Sequence, residues 1–113
     1  MHREVYDVLI AKAKAGQTVT YGEIAPMVGL DMALADDRNQ MADILREIAL
    51  HEHEAGHPLL TAVVVHAQDP CKPGPGFFKL AKELNLMQGS GQSAYFWTEL
   101  QRVFDHRQGK QNG

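Results

Sequence analysis

The feature that most limits the possible folds is an apolar segment from Leu59 to His66 (LLTAVVVH). It is rich in β-branched residues and almost free of polar side chains, which is typical of a short strand buried on both faces. Such a strand must be covered by other elements, and most of the remaining chain has helical spacing. The sequence therefore predicts one short buried strand in a mostly helical domain.

Four segments have the apolar spacing of amphipathic helices. In the first, from Glu4 to Ala15, apolar residues recur at i, i+3, i+4 and i+7, and Gly16 ends the pattern. A longer helix is predicted from about Asp37, where Asp37 and Gln40 are spaced as a capping box, to near Gly56. The residues predicted to face inward in the last three helices are Met41, Ile44, Leu45 and Ile48; Phe77, Leu80, Ala81 and Leu84; and Phe96, Trp97, Leu100, Val103 and Phe104.

A short helix precedes the long one. Thr20 stands three residues before Glu23, the spacing of a capping box, and predicts a helix from Tyr21 to about Val28 that Pro26 shortens or bends. Two helices joined by a brief turn and followed by an extended segment are the pattern of a winged helix-turn-helix. The predicted fold class is therefore α+β, mostly α: a small winged helix-turn-helix-like domain over residues 1–107 with a C-terminal helix. Residues 108–113 are expected to be a flexible tail.

Composition limits the function classes only broadly. A chain of 113 residues with 44% hydrophobic and 22% charged residues has the makeup of one globular domain. No apolar run reaches the roughly 20 residues of a membrane helix, and residues 1–4 do not begin a signal peptide. The one cysteine, Cys71, is compatible with a reducing cytoplasm. The net charge of −3 argues against broad, non-specific nucleic-acid binding.

In a helix-turn-helix domain the second helix lies in the DNA major groove. On the helix predicted from Asp37, the polar side chains that would reach DNA are those of Arg38, Asn39 and Arg46. Residues 36–57, however, carry six acidic residues and two arginines. These acids would repel phosphates unless they face away from the DNA. A packed helix pair without any DNA contact therefore stays open as an interpretation.

The segment Thr18–Ala25 (TVTYGEIA) resembles the start of the DNA-binding helix pair in the O6-alkylguanine DNA alkyltransferases and alkyltransferase-like proteins. The resemblance extends over about residues 16–86, with Leu59–Val63 as the strand and Lys72–Leu84 as the glycine-rich turn and following helix. It implies a DNA-binding domain in which Tyr21 lies beside a flipped nucleotide. The layout is also similar to that of short proteins carried by bacteria and mobile elements.

The same resemblance implies that the alkyl-accepting cysteine is absent. The family's Pro-Cys-His-Arg falls without gaps on residues 64–67, where Val65 replaces the cysteine and only His66 is kept. Cys71 follows Pro70 in an exposed turn that is predicted from Gln68 to Gly76. Lys72 is the one nearby group able to activate a thiol, so Cys71 is not expected to be a nucleophile. The resemblance thus implies DNA binding without alkyl transfer, and His66 near the former reactive position.

A second motif, HEAGH, has the His-Glu-x-x-His spacing of zinc metalloproteases. His53 and His57 would bind zinc one helical turn apart, and Glu54 would act as the base for a metal-bound water. Gly56 and Pro58 are expected to end the helix within the motif and to disrupt this spacing. Candidates for a third ligand are His51, His66 and Asp69.

These patterns together predict a non-enzymatic DNA-binding or DNA-associated protein of winged-helix type. Its partner would be duplex DNA and it would need no cofactor. One alternative is a zinc-dependent hydrolase that uses HEAGH. Another is a protein-interaction module of a mobile element, with the C-terminal helix as its surface. Gly74–Phe78 (GPGFF) is typical of a turn that anchors the next helix, or of a loop that lets the backbone approach a ligand closely. The residues predicted to contact DNA are Tyr21, Arg38, Asn39, Arg46 and His66.

Overall fold

The apolar segment after Pro58 lies at the centre of the fold. The structure is a computed structural model and describes residues 1–69, 72–87 and 91–109. Every residue from Leu59 to Val65 is buried. Around this segment pack the three longest helices of the described chain, α1 (Arg3–Lys14), α3 (Ala35–Glu54) and α5 (Gln92–Arg107). The fold class predicted from sequence, a small α+β and mostly α domain with a C-terminal helix, is confirmed.

The predicted strand is much shorter in the structure. Leu60–Val63 forms a 3₁₀ turn, and only Val64–Val65 is a strand, β2, which pairs in parallel with β1 (Val19–Thr20). An apolar run indicates burial but does not fix conformation, and here helices cover the segment. The 3₁₀ turn satisfies part of its own backbone, since the N–H of Ala62 donates to the carbonyl of Leu59 at 3.0 Å.

The capping box predicted for the short helix is confirmed. The Thr20 hydroxyl accepts the N–H of Glu23 at 3.2 Å, and the Glu23 carboxylate accepts the N–H of Thr20 at 2.8 Å. The second of these bonds is the main cause that lowers the pKa of Glu23. The helix α2 (Tyr21–Ile24) is a single turn, because the chain then tightens into a 3₁₀ turn over Ala25–Val28. Pro26 is the second residue of this 3₁₀ turn.

The capping box predicted at Asp37 is wrong. Helix α3 begins at Ala35, and its N-cap, Leu34, makes no side-chain capping bond. The Asp37 carboxylate accepts the backbone N–H of Asp31 at 2.8 Å and so closes the loop before the helix. A side chain that can cap a helix can equally bond a neighbouring loop, and sequence spacing alone does not separate the two roles.

Two further predictions in the C-terminal half need correction. Pro73 and Gly74 were expected in an exposed turn but are buried, and α4 (Pro75–Glu83) starts directly after them. On α5, Phe96, Leu100 and Val103 are buried as predicted. Trp97 instead is 50% exposed. No helix in the described parts of the chain is both long enough and apolar enough to span a membrane.

A buried carboxylate ties the helices together at one end of the domain. Glu52 on α3 is 1% exposed. It accepts hydrogen bonds from Arg107 on α5 and from Tyr6 on α1, the latter at 3.5 Å, and lies 3.0 Å from Nδ1 of His57. A buried charge is tolerated only with such partners, so this cluster fixes the relative positions of three helices. Gln108, placed by sequence in the flexible tail, donates to the carbonyl of Lys14 at 3.4 Å.

We predict that Arg107→Gln lowers the free energy of unfolding by about 3 kcal/mol, because the buried charge of Glu52 loses its guanidinium partner. Urea unfolding followed by circular dichroism measures the loss. The matched control is Arg46→Gln, which breaks an exposed ion pair with Glu83 and should cost less than about 1 kcal/mol. Equal losses in the two variants would contradict a structural role for the buried cluster.

Candidate nucleic-acid interface

A cavity of about 530 Å³ opens between α2, α3 and the start of α4. We call it the tyrosine cavity, after Tyr21 in its wall. Its size is within the range of small-molecule sites in proteins. All five residues that the sequence analysis assigned to DNA contact line it: Tyr21, Arg38, Asn39, Arg46 and His66.

The position of Tyr21 in this wall is held from two directions. Its hydroxyl accepts the backbone N–H of Gly74 at 2.8 Å, and its ring lies 5.2 Å from the ring of His66 at a tilt of 36°. Burial raises the pKa of the Tyr21 hydroxyl, and the bond from Gly74 offsets this only in part. The phenol thus keeps its proton at neutral pH and has that proton available for an acceptor in the cavity.

Gly74 is required where Tyr21 meets the loop before α4. A Cβ atom added at Gly74 would lie 2.3 Å from the Tyr21 hydroxyl oxygen and 3.1 Å from the ring carbon that bears it. The glycine therefore permits a close approach of backbone to ring. The GPGFF segment was expected to be either an anchoring turn or a loop of close approach. Phe77 is buried, as an anchoring turn requires, and at Gly74 the backbone approaches the Tyr21 side chain closely.

Helix α3 supplies the opposite wall and two arginines. The Arg38 guanidinium donates to the carbonyl of Met32 at 3.0 Å, which links it to the loop before the helix. Arg46 lies 2.6 Å from the carboxylate of Glu83 on α4. Both arginine side chains belong to exposed residues, and Asn39 is also exposed. They therefore stand at the mouth of the cavity, where a charged ligand can reach them.

The acidic residues of α3 mostly face away from this cavity. Of the six between positions 36 and 57, the cavity lining includes Asp43 alone. Glu52 is buried in the three-helix cluster, Glu47 lies 2.6 Å from the amino group of Met1, and Asp37 bonds the loop. The basic side chains in the lining are Arg38, Arg46 and Lys79. The described lining thus carries three basic side chains and one acidic one in a chain of net charge −3, and one of the three, Arg46, is paired with Glu83.

The residue that aligns with the alkyl-accepting cysteine of the resembled family, Val65, has no nucleophilic group. Val65 is 1% exposed, packs in the core and lies outside the cavity lining. His66 follows it at the end of β2 and does reach the cavity. Cys71, which the sequence analysis set aside as a nucleophile, lies outside the described residues.

The HEAGH motif does not form a helical pair of histidines. Helix α3 ends at Glu54, and Gly56 follows with a φ of 80°, so His57 leaves the helical face on which His53 lies. The ring of His57 lies 4.3 Å from that of His106, whose pKa is lowered mainly by burial and also by His57. Among the described residues, no group of three or more His, Cys, Asp or Glu side chains is placed to hold a metal ion.

Sequence reasoning missed two parts of the cavity. Lys79 was not assigned to the site, although its position two residues after the inward-facing Phe77 places it on the outer side of α4. Thr61 lies in the centre of the apolar segment, yet its buried side chain lines the cavity. Helical spacing could have indicated Lys79, whereas Thr61 depends on the 3₁₀ turn that the sequence did not predict.

Comparisons with family models, with curated proteins and with solved structures found no match to this chain.

We predict that Gly74→Ala lowers the free energy of unfolding by about 1–3 kcal/mol, because the new methyl group overlaps the Tyr21 hydroxyl. The loss should shrink in a Tyr21→Phe background, where the nearest ring atom is the carbon at 3.1 Å. Gly76→Ala is the control, since no atom lies within 4 Å of its added Cβ. Urea unfolding of the wild-type protein, the two single variants and the double variant gives the coupling energy between positions 21 and 74. A coupling of zero would contradict the contact.

Proposed function

We propose that this chain is a non-enzymatic DNA-binding domain of winged-helix type, related in form to the alkyltransferase-like proteins but without their reactive cysteine. The observation that carries the proposal is the convergence of Tyr21, Arg38, Asn39, Arg46 and His66 on one cavity. These residues come from three separate parts of the chain: α2, α3 and the residue directly after β2.

The chemistry of the cavity suits a nucleotide. Tyr21 and His66 offer aromatic rings on which a base can stack, and the Tyr21 hydroxyl is available to donate a hydrogen bond. The arginines at the mouth match the phosphates on either side of such a base. The resemblance implies a nucleotide flipped out of the duplex beside Tyr21, and a cavity of about 530 Å³ has room for one base.

The distribution of charge supports DNA binding at the cavity. A net charge of −3 disfavours broad binding to any polyanion. Asp43 is the one acid of α3 in the described lining, and Arg38 and Lys79 offer positive charge there, whereas Arg46 is paired with Glu83. We therefore expect binding that is local and moderate in salt dependence, not the steep dependence of a uniformly basic protein.

The two alternatives from the sequence receive less support. A hydrolase that uses HEAGH needs His53 and His57 on one helical face, and Gly56 separates them. A protein-interaction module would use the C-terminal helix, and Trp97 is its exposed aromatic residue. A single exposed aromatic side chain is common on protein surfaces, so the cavity is the stronger ground for a function.

Fluorescence anisotropy of a labelled duplex over a series of salt concentrations tests this proposal. We expect the logarithm of the binding constant to fall linearly with the logarithm of the salt concentration, and Arg38→Gln to reduce the slope by about 1. The reason is that one phosphate contact is lost.

Lys14→Gln is the matched control, because this exposed lysine on α1 lies outside the cavity and should leave the slope unchanged. Thermal unfolding of both variants confirms that they fold. No binding of the wild-type protein at the lowest salt concentration would overturn the proposed function.

A further inference from the structure

A second concave surface adjoins the tyrosine cavity. It is lined by the outer face of α4, by the loop before it and by the first turn of α5. The two concave surfaces share His66, Pro75 and Lys79. The second carries the side chains of Lys72, Lys79 and Lys82, and we call it the lysine groove. The two concave surfaces are therefore adjacent, and a ligand that extends beyond the tyrosine cavity on this side meets the lysine groove.

Helical geometry places two of the three lysines on one face of α4. Pro75, Phe78, Lys79 and Lys82 follow one another at i, i+3, i+4 and i+7, so they form one stripe along the helix. Lys72 comes from the loop before α4, and all three lysines are exposed. The acidic residue of the described lining is Asp69, which lies 3.8 Å from the Lys72 ammonium. The described lining of the groove thus carries three lysines and one carboxylate.

The first turn of α5 closes the groove with neutral polar groups. Gln92 and Ser93 line it and offer hydrogen bonds without charge. Trp97 follows Ser93 by four residues, and side chains on a helix lie over the turn before their own Cα. Trp97 is exposed and lies one helical turn beyond Ser93 on the same face of α5, just outside the residues that line the groove. Lysines, neutral hydrogen-bonding groups and an aromatic ring are the components with which proteins bind a nucleic-acid backbone and its bases.

From these observations we propose that the lysine groove binds the phosphodiester backbone of the DNA strand that flanks the nucleotide in the tyrosine cavity. This inference rests on the proposed function and extends the DNA contact beyond the helix pair to α4 and α5. Lys72 and Lys82 belong to the groove alone, whereas Lys79 serves both surfaces. Each lysine that neutralises a phosphate releases counterions and adds to the salt dependence of binding.

The test compares the double variant Lys72→Gln/Lys82→Gln with the matched control Lys12→Gln/Lys14→Gln on α1. Both remove two positive charges, so they alter the net charge equally, but the control residues line neither concave surface. We expect the groove variant to reduce the slope of log binding constant against log salt by about 1.4–1.8, or roughly 0.7–0.9 for each lost phosphate contact. The control should keep the wild-type slope.

The fluorescence of Trp97, the one tryptophan of the chain, gives an independent reading of the groove. We expect DNA to quench it in the wild-type protein and in the α1 control, and less in the groove variant at equal saturation. Equal slopes for the groove variant and the wild-type protein would overturn the inference and leave the proposed function standing, even if Trp97 is quenched. A wild-type protein that binds no duplex would overturn both.

Discussion

Burial of the segment from Leu59 to Val65 is the constraint on which the rest of the structure depends. Helices α1, α3 and α5 all pack on its 3₁₀ turn, so one stretch of chain organises the whole core. The segment also determines where the site forms. Its last two residues pair with β1 directly before Tyr21, and the next residue is His66. The aromatic pair of the cavity is therefore brought together by a parallel ladder of two residues on each strand.

Local signals in the sequence were reliable at two helix ends. Thr20 and Glu23 cap α2 as predicted, and Gly56 ends the helix within HEAGH. Equally local patterns failed where a neighbouring loop or the packing decided the outcome. Asp37 has the same capping-box spacing but bonds a loop instead of capping α3, and Trp97 has helical spacing with the core residues but lies at the surface. Periodicity identifies a face only to within a residue, and packing decides its edges.

Five residues of the cavity wall could be named from the sequence, but the shape of the cavity could not. A resemblance in eight residues, Thr18–Ala25, led to Tyr21, and helical polarity led to Arg38, Asn39 and Arg46. That these side chains share a cavity depends on the loop at Gly74 and on the 3₁₀ turn, which no local pattern indicated. The same limit applies to charge. The net charge of the chain follows from the sequence, whereas the charges that a ligand meets depend on which side chains face it.

Amide chemical shifts of the isotope-labelled protein, followed by NMR during titration with a short DNA duplex, report directly whether DNA binds at the tyrosine cavity. We expect the largest changes at Tyr21, Asn39, His66 and Gly74, which surround the cavity. Amides on the outer face of α1, such as that of Asp7, should not shift. Changes concentrated on α1, or no change at saturating DNA, would contradict DNA binding at the cavity.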